Sequence, residues 1–260
     1  MINVMQKTAL LSMERCVFPD NDKEIESKAD IIRYMRFWKR NTNILNSIED
    51  IDTTIIHNLL DIENNILKKI NKTYRYEINR AVKEGYSVQY IDNFANQASQ
   101  LYLADFKEAY IHFCIVSNNK NLIKHFKIRE IQKYADQGNL TVSYAQYPNG
   151  KVFHMYLHDD VKVMLWFSAS DFRNQNVDKH LAGRVNKFLH YQDMIHFKRR
   201  GLHYYDWGNI SSSLNPNGID QFKMKFGGEL KDVYSYFVGN TLWGRILIIL
   251  RTLYNKACLL

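Results

Sequence analysis

A lysine on a short helix is the residue of this chain best placed to stabilise developing negative charge. Residues 204–230 read as an aromatic strand, then a polar loop rich in Ser, Asn, Pro and Gly, then a short helix ending at Gly227-Gly228. Lys223 lies on that helix, beside an aromatic ring. A fixed ammonium there can stabilise the oxyanion of a tetrahedral intermediate or hold a phosphate. We therefore expect Lys223 to be catalytic; the alternative is a solvated lysine on a two-turn helix.

Two residues at the end of the preceding strand are further candidates. Asp206 could orient or deprotonate an acceptor amine, or it could accept N–H bonds from the loop at 207–213, and we favour this structural role. Tyr205 could donate a hydrogen bond to a leaving group; a half-buried aromatic is the more ordinary interpretation.

A basic stripe runs along the helix predicted over residues 62–84. Its apolar face repeats at helical spacing, and Gly85 ends it. Glu77 falls near the apolar side, where it could pair with a buried base or bind an acceptor amine, and we favour the ion pair. The stripe can attract a nucleotide or tRNA backbone without reading its sequence, or it is simply a solvated face. Its members are Lys68, Lys72, Arg75, Asn79 and Lys83.

A mixed series of helices and strands must position these residues. Periodicity predicts helices near 31–39, 62–84, 95–117, 121–137 and 177–200, and strands over 51–58, 86–91, 140–147, 152–157, 161–168, 202–207 and 231–238. The turns at 148–150 and 158–160 join three of these strands into an antiparallel meander. We assign His154, His158, Asp159 and Asp160 to that turn region and expect no metal site.

Three blocks of the sequence resemble the Fem-type aminoacyltransferases, a branch of the GNAT-like N-acyltransferase superfamily. The first is Lys-Thr-Tyr-Arg-Tyr-Glu-Ile-Asn-Arg-Ala-Val-Lys-Glu-Gly at 72–85, and the second is the helix over 183–201. The third is Tyr-Asp-x-Gly at 205–208, followed by Gly-Ile-x-x-Phe-Lys-x-x-Phe-Gly-Gly at 218–228. The blocks occur in family order, so the likeness spans roughly residues 50–240.

The resemblance implies a GNAT-like α/β fold, a mixed, mostly antiparallel sheet flanked by helices. Its fourth strand, ending at residues 166–170, and its fifth, over 202–207, should be parallel neighbours that splay apart. Ligands enter such a split, and the family's donor-site lysine corresponds to Lys223. The substrate-binding residues expected on this alignment are Phe222, Lys225, Trp166, Ser168, Arg184 and Asn186, with the stripe lysines and Arg75.

The loop before the long helix bears on the donor. Acetyltransferases that use CoA usually have Gln/Arg-x-x-Gly-x-Gly/Ala there, whose amides hold the pyrophosphate. This chain has His180-x-x-Gly183-Arg184-Val185. The resemblance therefore favours aminoacyl-tRNA as donor over acyl-CoA, with no permanently bound cofactor.

The expected acceptor is an amine-bearing glycan or cell-wall precursor in bacterial envelope biosynthesis. The alternatives are an acyl-CoA-dependent N-acetyltransferase acting on a nucleotide sugar or small amine, and a non-catalytic basic RNA-binding module.

Composition sets broader bounds. The 260 residues carry a formal net charge of +8, which favours anionic partners. Three cysteines without metal or redox spacing indicate a reducing cytoplasm.

We expect an N-terminal extension or remnant of a first GNAT-like domain over 1–50, the transferase domain over 51–239, and a basic amphipathic helix over 240–260. That helix could lie peripherally on the inner face of a membrane or pack on protein. No signal peptide or membrane-spanning segment is expected, and oligomeric state stays open.

Overall fold

The computed structural model describes residues 1–8, 10–19, 26–44, 47–174 and 176–257. Its strands are β1 (Ile2–Lys7), β2 (Ser12–Val17), β3 (Ile31–Phe37), β4 (Ser47–Asn58), β5 (Val88–Ile91), β6 (Leu140–Tyr147), β7 (Gly150–His158), β8 (Lys162–Ser170), β9 (Tyr204–Ile210) and β10 (Glu229–Gly239). Its helices are α1 (Glu63–Lys69), α2 (Lys72–Lys83), α3 (Gln97–Val116), α4 (Ile128–Asp136), α5 (Lys179–Arg199), α6 (Gly218–Met224) and α7 (Leu242–Ala257). The last three residues of the predicted terminal helix, 258–260, lie outside the described residues.

The chain divides into two compact units. One comprises Met1–Thr54 with Leu230–Leu260, and the other comprises Ile55–Glu229. In the first unit, β1 pairs antiparallel with β2, β2 parallel with β3, and β3 antiparallel with β10. The segments predicted as 1–50 and 240–260 thus belong to the same unit, although they are far apart in sequence.

The helix predicted near residues 31–39 is wrong, because this segment forms β3. Its sequence Ile-Ile-Arg-Tyr-Met-Arg-Phe is a short apolar run, which periodicity alone cannot assign to a strand or a buried helix. Hydrogen bonding on both edges decides the matter, since β3 lies between β2 and β10. Residues 1–17, for which no element was predicted, supply the neighbouring strands.

The second unit contains the sheet that the resemblance implied. Its strand order is β9-β8-β7-β6-β5, and the pairs from β5 to β8 are antiparallel. β8 and β9 run parallel and pair only where Lys162–Met164 faces Tyr204–Asp206. Just beyond, Gly208 has a left-handed φ of +71°, and β9 leaves regular extended geometry. The predicted splay of the fourth and fifth strands is therefore confirmed.

The helix predicted over residues 62–84 is two helices. The break falls at Ile70 and Asn71, whose backbone angles are extended or irregular. The Asn71 side chain accepts a hydrogen bond from the Thr73 N–H at 2.9 Å and so caps α2. Asparagine competes well for such cap positions, and this local bond outweighs the continuous apolar periodicity. Gly85, with a φ of +80°, ends α2 as expected.

A buried aromatic and aliphatic core joins the helices of the second unit to its sheet. Trp207, Tyr205, Phe226, Phe197 and Ile78 are fully enclosed within it. Among the described residues, no helix combines the length and apolar character that crossing a bilayer requires.

Candidate active site at the splayed strands

A cleft of about 720 Å³ opens where β8 and β9 diverge. The end of β8, Trp207 of β9, the first half of α5 and helix α6 line it, together with Tyr74 of α2. Three cationic side chains, Arg173, Lys187 and Lys223, are among the lining residues, and no carboxylate is. A concave, largely apolar site with a few cations suits an anionic ligand with an apolar or aromatic part.

The loop before α6 fixes the position of Lys223. Asn217 accepts hydrogen bonds from the Ile219 and Asp220 N–H groups, and the buried Asp220 carboxylate binds the Ser211 backbone and hydroxyl. These bonds hold the start of α6 against the end of β9. Lys223 Nζ then donates to the Asn209 carbonyl at 2.8 Å. This bond holds the ammonium at the cleft. The catalytic role expected for Lys223 stays a prediction.

Phe222 lies in the cleft next to Lys223. Its ring centroid is 5.6 Å from that of Tyr74 and 5.5 Å from that of His190. Lys225, by contrast, is exposed outside this cleft, with Nζ 5.8 Å from the Tyr74 ring centroid. Of the two residues, the structure brings only Phe222 to the cleft.

Asp206 and Tyr205 are buried and are not among the lining residues of the cleft. Asp206 Oδ1 accepts the Gly208 N–H at 2.9 Å, which is the structural role favoured for it. Tyr205 is fully buried rather than half-buried, and its hydroxyl lies 2.9 Å from that of Tyr156. Both residues shape the strand behind the cleft.

A buried polar network behind the cleft was missed by the sequence analysis. Asp193 Oδ2 lies 2.7 Å from Nδ1 of His154 and accepts the Tyr156 hydroxyl proton at 2.6 Å. His154 Nε2 lies 3.0 Å from the Asn186 amide oxygen, and Asn186 lines the cleft. The network thus connects a buried carboxylate to a polar group at the ligand surface.

His190 is the member of this group that itself lines the cleft. Its ring stacks on His154 with a centroid distance of 3.8 Å, and Nδ1 lies 3.4 Å from the Tyr205 hydroxyl. Burial, followed by the charges of His154 and Lys223, holds the pKa of His190 well below its ordinary value. The ring is therefore neutral at neutral pH.

Hydrogen-bond directions along the network assign the tautomer of His190. The Tyr156 hydroxyl donates its hydrogen bond to Asp193 Oδ2. Tyr205 must then donate to Tyr156, which leaves the Tyr205 oxygen to accept from Nδ1–H of His190. The lone pair of His190 is consequently on Nε2, which has no hydrogen-bond partner among the described residues.

His154, His190 and Asp193 also bring potential metal-ligating atoms within 4.8 Å of one another. The bond between His154 Nδ1 and Asp193 Oδ2 links two of these residues, and the two imidazole rings stack at an interplanar angle of 25°. We describe the group by these contacts, as a hydrogen-bonded network.

The sequence did contain a weak indication of this network. His190 and Asp193 are three residues apart on α5, a spacing that places them on one helix face. His154 and Tyr156 are two apart on β7 and share one face of the sheet. Nothing in either spacing shows that the two faces meet, because that contact joins residues more than 30 positions apart.

The remaining predicted substrate-binding residues divide into two groups. Ser168 and Asn186 line the cleft. Trp166 projects elsewhere and meets Tyr134 at a centroid distance of 5.4 Å. Arg184 is buried, with Nε 3.1 Å from Glu77 Oε2 and Nη1 2.8 Å from Glu84 Oε1. The ion pair expected for Glu77 is confirmed, and Arg184 is the buried base.

The basic stripe is also divided by the structure. Lys68, Lys72 and Lys83 are exposed. Arg75 is half-buried, and its Nη1 donates to the carbonyl oxygens of Lys68 at 2.7 Å and Ile70 at 3.0 Å. It thereby satisfies carbonyl groups at the end of α1, where a cation is favourable.

The start of α5 is already occupied by an acidic side chain. Asp178 Oδ1 accepts the N–H groups of His180 at 2.8 Å and Leu181 at 3.2 Å. These two bonds, the one from Leu181 first, lower the pKa of Asp178, so it carries its negative charge at neutral pH. A diphosphate seeking these amides would compete with a fixed carboxylate.

Comparison with known proteins places the fold. No family model and no curated protein matches the sequence. Among solved structures, FemX matches with a TM-score of 0.59 at 12% identity, covering 89% of this chain and 83% of that chain. The fold of the chain is similar to that of FemX. L-PGS from Bacillus licheniformis matches with a TM-score of 0.53 at 10% identity, covering 96% of this chain and 84% of that chain.

A third neighbour is the C-terminal domain of a protein assigned as a lysylphosphatidylglycerol synthetase from Agrobacterium fabrum. Its TM-score is 0.53 at 10% identity, and the match covers 95% of this chain and 83% of that chain. The GNAT-like fold inferred from the three sequence blocks is confirmed. At 10–12% identity, the likeness concerns the fold, and the chemistry has to be argued from the cleft.

Proposed function

We propose that this chain is an N-acyltransferase that moves an aminoacyl or acyl group from an anionic donor to an amine acceptor. The observation that carries the proposal is the cleft at the splayed strands, which is lined by three cations and a neutral histidine and by no carboxylate. The Fem-like fold supports a role in bacterial cell-wall or surface-glycan biosynthesis.

In the proposed reaction, the acceptor nitrogen attacks the carbonyl carbon of the donor ester. A C–N bond forms, and the carbonyl oxygen becomes an oxyanion that the Lys223 ammonium stabilises. The attacking nitrogen loses a proton to Nε2 of His190, whose neutral tautomer offers a lone pair there. The C–O bond to the leaving group then breaks, and the leaving oxygen recovers a proton.

Lys187 supports the binding of an anionic donor. Its Nζ donates to the Gly183 carbonyl at 3.1 Å and lies 5.0 Å from the Tyr74 ring centroid. Burial lowers the pKa of Lys187, and a bound phosphate would restore its preference for the charged form. With Arg173 it offers two cations to the donor, while Lys223 faces the reacting group.

The capped start of α5 favours aminoacyl-tRNA over acyl-CoA as donor. A CoA pyrophosphate needs free backbone amides at this helix start, and Asp178 holds two of them. A tRNA acceptor end makes no such demand and can use the side-chain cations of the cleft. The acceptor proposed with this donor is an amine-bearing glycan or cell-wall precursor.

A transfer assay tests the proposal. The purified chain is given labelled aminoacyl-tRNA or labelled acetyl-CoA, each with amino sugars and peptidoglycan precursors, and the labelled amide is followed by mass spectrometry. We expect product from the tRNA donor, formed ~10²–10³-fold more slowly after Lys223→Ala. Product from acetyl-CoA alone would reverse the donor assignment. Salt-sensitive tRNA binding without transfer from either donor would contradict the enzyme and favour an RNA-binding module.

A further inference from the structure

The terminal helix α7 exposes a continuous apolar face. Six large apolar side chains project from it, including Leu242 at 77% and Leu253 at 58% exposure. At about 100° per residue, they fall within an arc of about 120°. Apart from the indole N–H, the arc contains no polar side chain. Its members are Leu242, Trp243, Ile246, Ile249, Leu250 and Leu253.

The opposite side of α7 is anchored within its own unit. Ile248 is buried in a cluster with Ile31 and Phe237. Gly244 packs so closely on the Asp30 carbonyl that a Cβ atom could not be accommodated. The hydroxyl of Thr241 donates to Asp30 Oδ1 at 2.8 Å at the start of the helix. These contacts fix the rotation of α7 about its axis, so the apolar arc is held facing outward.

Positive charge borders the apolar arc. Arg245 is exposed about 40° beyond the edge of the arc. Arg251 lies on the anchored side of the helix, where its guanidinium is 4.1 Å from the Phe237 ring centroid. The sequence has no acidic residue after Asp232. An aliphatic face with a tryptophan and a flanking arginine has the composition of helices that lie in the interface of an anionic bilayer.

We propose that the outward face of α7 docks on an anionic lipid bilayer, with the helix axis in the membrane plane. The arc meets the acyl-chain boundary, while Arg245 meets phosphate headgroups. The arc is almost free of hydrogen-bonding groups, unlike most protein interfaces, which carry several hydrogen bonds. This surface is separate from the proposed transfer chemistry and does not depend on it.

Vesicle co-sedimentation of the full chain tests the proposal. We expect binding to phosphatidylglycerol-containing vesicles, weak binding to pure phosphatidylcholine, and loss of binding as salt rises. The triple variant Leu242→Ser, Ile249→Ser, Leu253→Ser should bind at least about tenfold more weakly, because it removes apolar area from the lipid contact. Replacing Arg245 with glutamine should weaken binding to the anionic vesicles by roughly fivefold.

A matched control replaces three equally exposed leucines elsewhere, as Leu10→Ser, Leu60→Ser, Leu214→Ser. It should bind like the wild type. Circular dichroism melting establishes that both triple variants fold. Undiminished vesicle binding by the α7 variant would overturn the proposal. So would a wild-type dimer, seen by light scattering, that the α7 variant dissociates and that shows no vesicle binding, because the face would then be covered by a second copy.

Discussion

The cations of the cleft and those of the basic stripe on α1 and α2 have the same charge but differ in what surrounds them. Lys223 and Lys187 each donate to a backbone carbonyl and lie among aromatic rings. Lys68, Lys72 and Lys83 are exposed to solvent. A positioned, partly desolvated ammonium can act on a single atom, whereas exposed ones contribute only a screened field. A positioned lysine of the cleft can therefore take part in catalysis, whereas an exposed lysine of the stripe can only help to attract an anionic ligand.

The largest effect is expected at Lys223. Lys223→Ala should lower kcat by ~10²–10³ with a smaller change in KM, because it removes a charge that acts on the oxyanion. Lys223→Arg should rescue poorly, since a guanidinium places its charge differently. Lys107→Ala, an exposed lysine of α3, is the matched control. Wild-type turnover in the Lys223→Ala variant would remove Lys223 from the mechanism.

A somewhat smaller loss is expected at His190. His190→Asn should reduce kcat by about 10²-fold, the lower part of the range for general-base catalysis. Since the neutral ring is the active form and its pKa is held low, the wild-type rate should stay level as pH falls through the ordinary histidine range and drop only below it. The exposed His112→Asn serves as control. A pH profile that is unchanged in the His190 variant would contradict the assignment.

Two other buried histidines should make the folding stability of the protein depend on pH. Burial lowers the pKa of both His57 and His158 to about 4. The unfolded chain binds these protons at higher pH than the folded one, so stability is full above pH ~6.5 and falls as pH decreases toward 4. At pH 5, the low pKa of each histidine should reduce the free energy of unfolding by about 2 kcal/mol relative to its full value. Urea unfolding at pH 7 and pH 5 would measure this reduction.

The matched variant for this measurement is His158→Gln, which should lessen the difference between the two pH values. His180→Gln replaces an exposed histidine and should leave the difference unchanged. Equal unfolding midpoints for the wild type at pH 7 and pH 5 would show that these two rings do not remain neutral in the folded protein.

The smallest effect is expected on the stripe. Arg75 caps α1, so the informative reversal is Lys72→Glu with Lys83→Glu, which leaves that cap intact. If the stripe attracts a polyanionic donor, KM for tRNA should rise several-fold at low salt, and the rise should shrink as salt increases. Reversing the exposed Lys120 and Lys124 instead is the control of equal charge. An unchanged KM at low salt would assign the stripe to solvated surface.

Local sequence determined much of the frame around the site. The strand predicted over residues 140–147 is β6, since Gly138 and the Pro148-Asn149-Gly150 turn bound an alternating run. The resemblance of three sequence blocks to the Fem-type family implied the splay between β8 and β9, which pair over only three residues each. The same resemblance suggested Lys223, Phe222, Ser168 and Asn186, and these residues line the cleft at the splay.

Tertiary structure decided the rest. Periodicity could not distinguish β3 from a helix or detect the break at Asn71, because pairing partners and a side-chain cap settled those points. Periodicity also could not show that Arg184 forms ion pairs with Glu77 and Glu84.

The sequence also could not predict that His154 contacts His190 and Asp193. Spacing along a chain reports which residues share a face, whereas burial, tautomer and pKa depend on which faces meet. Contacts between β7 and α5 are made only in the folded protein, and they turn an ordinary histidine into the neutral base proposed for the cleft.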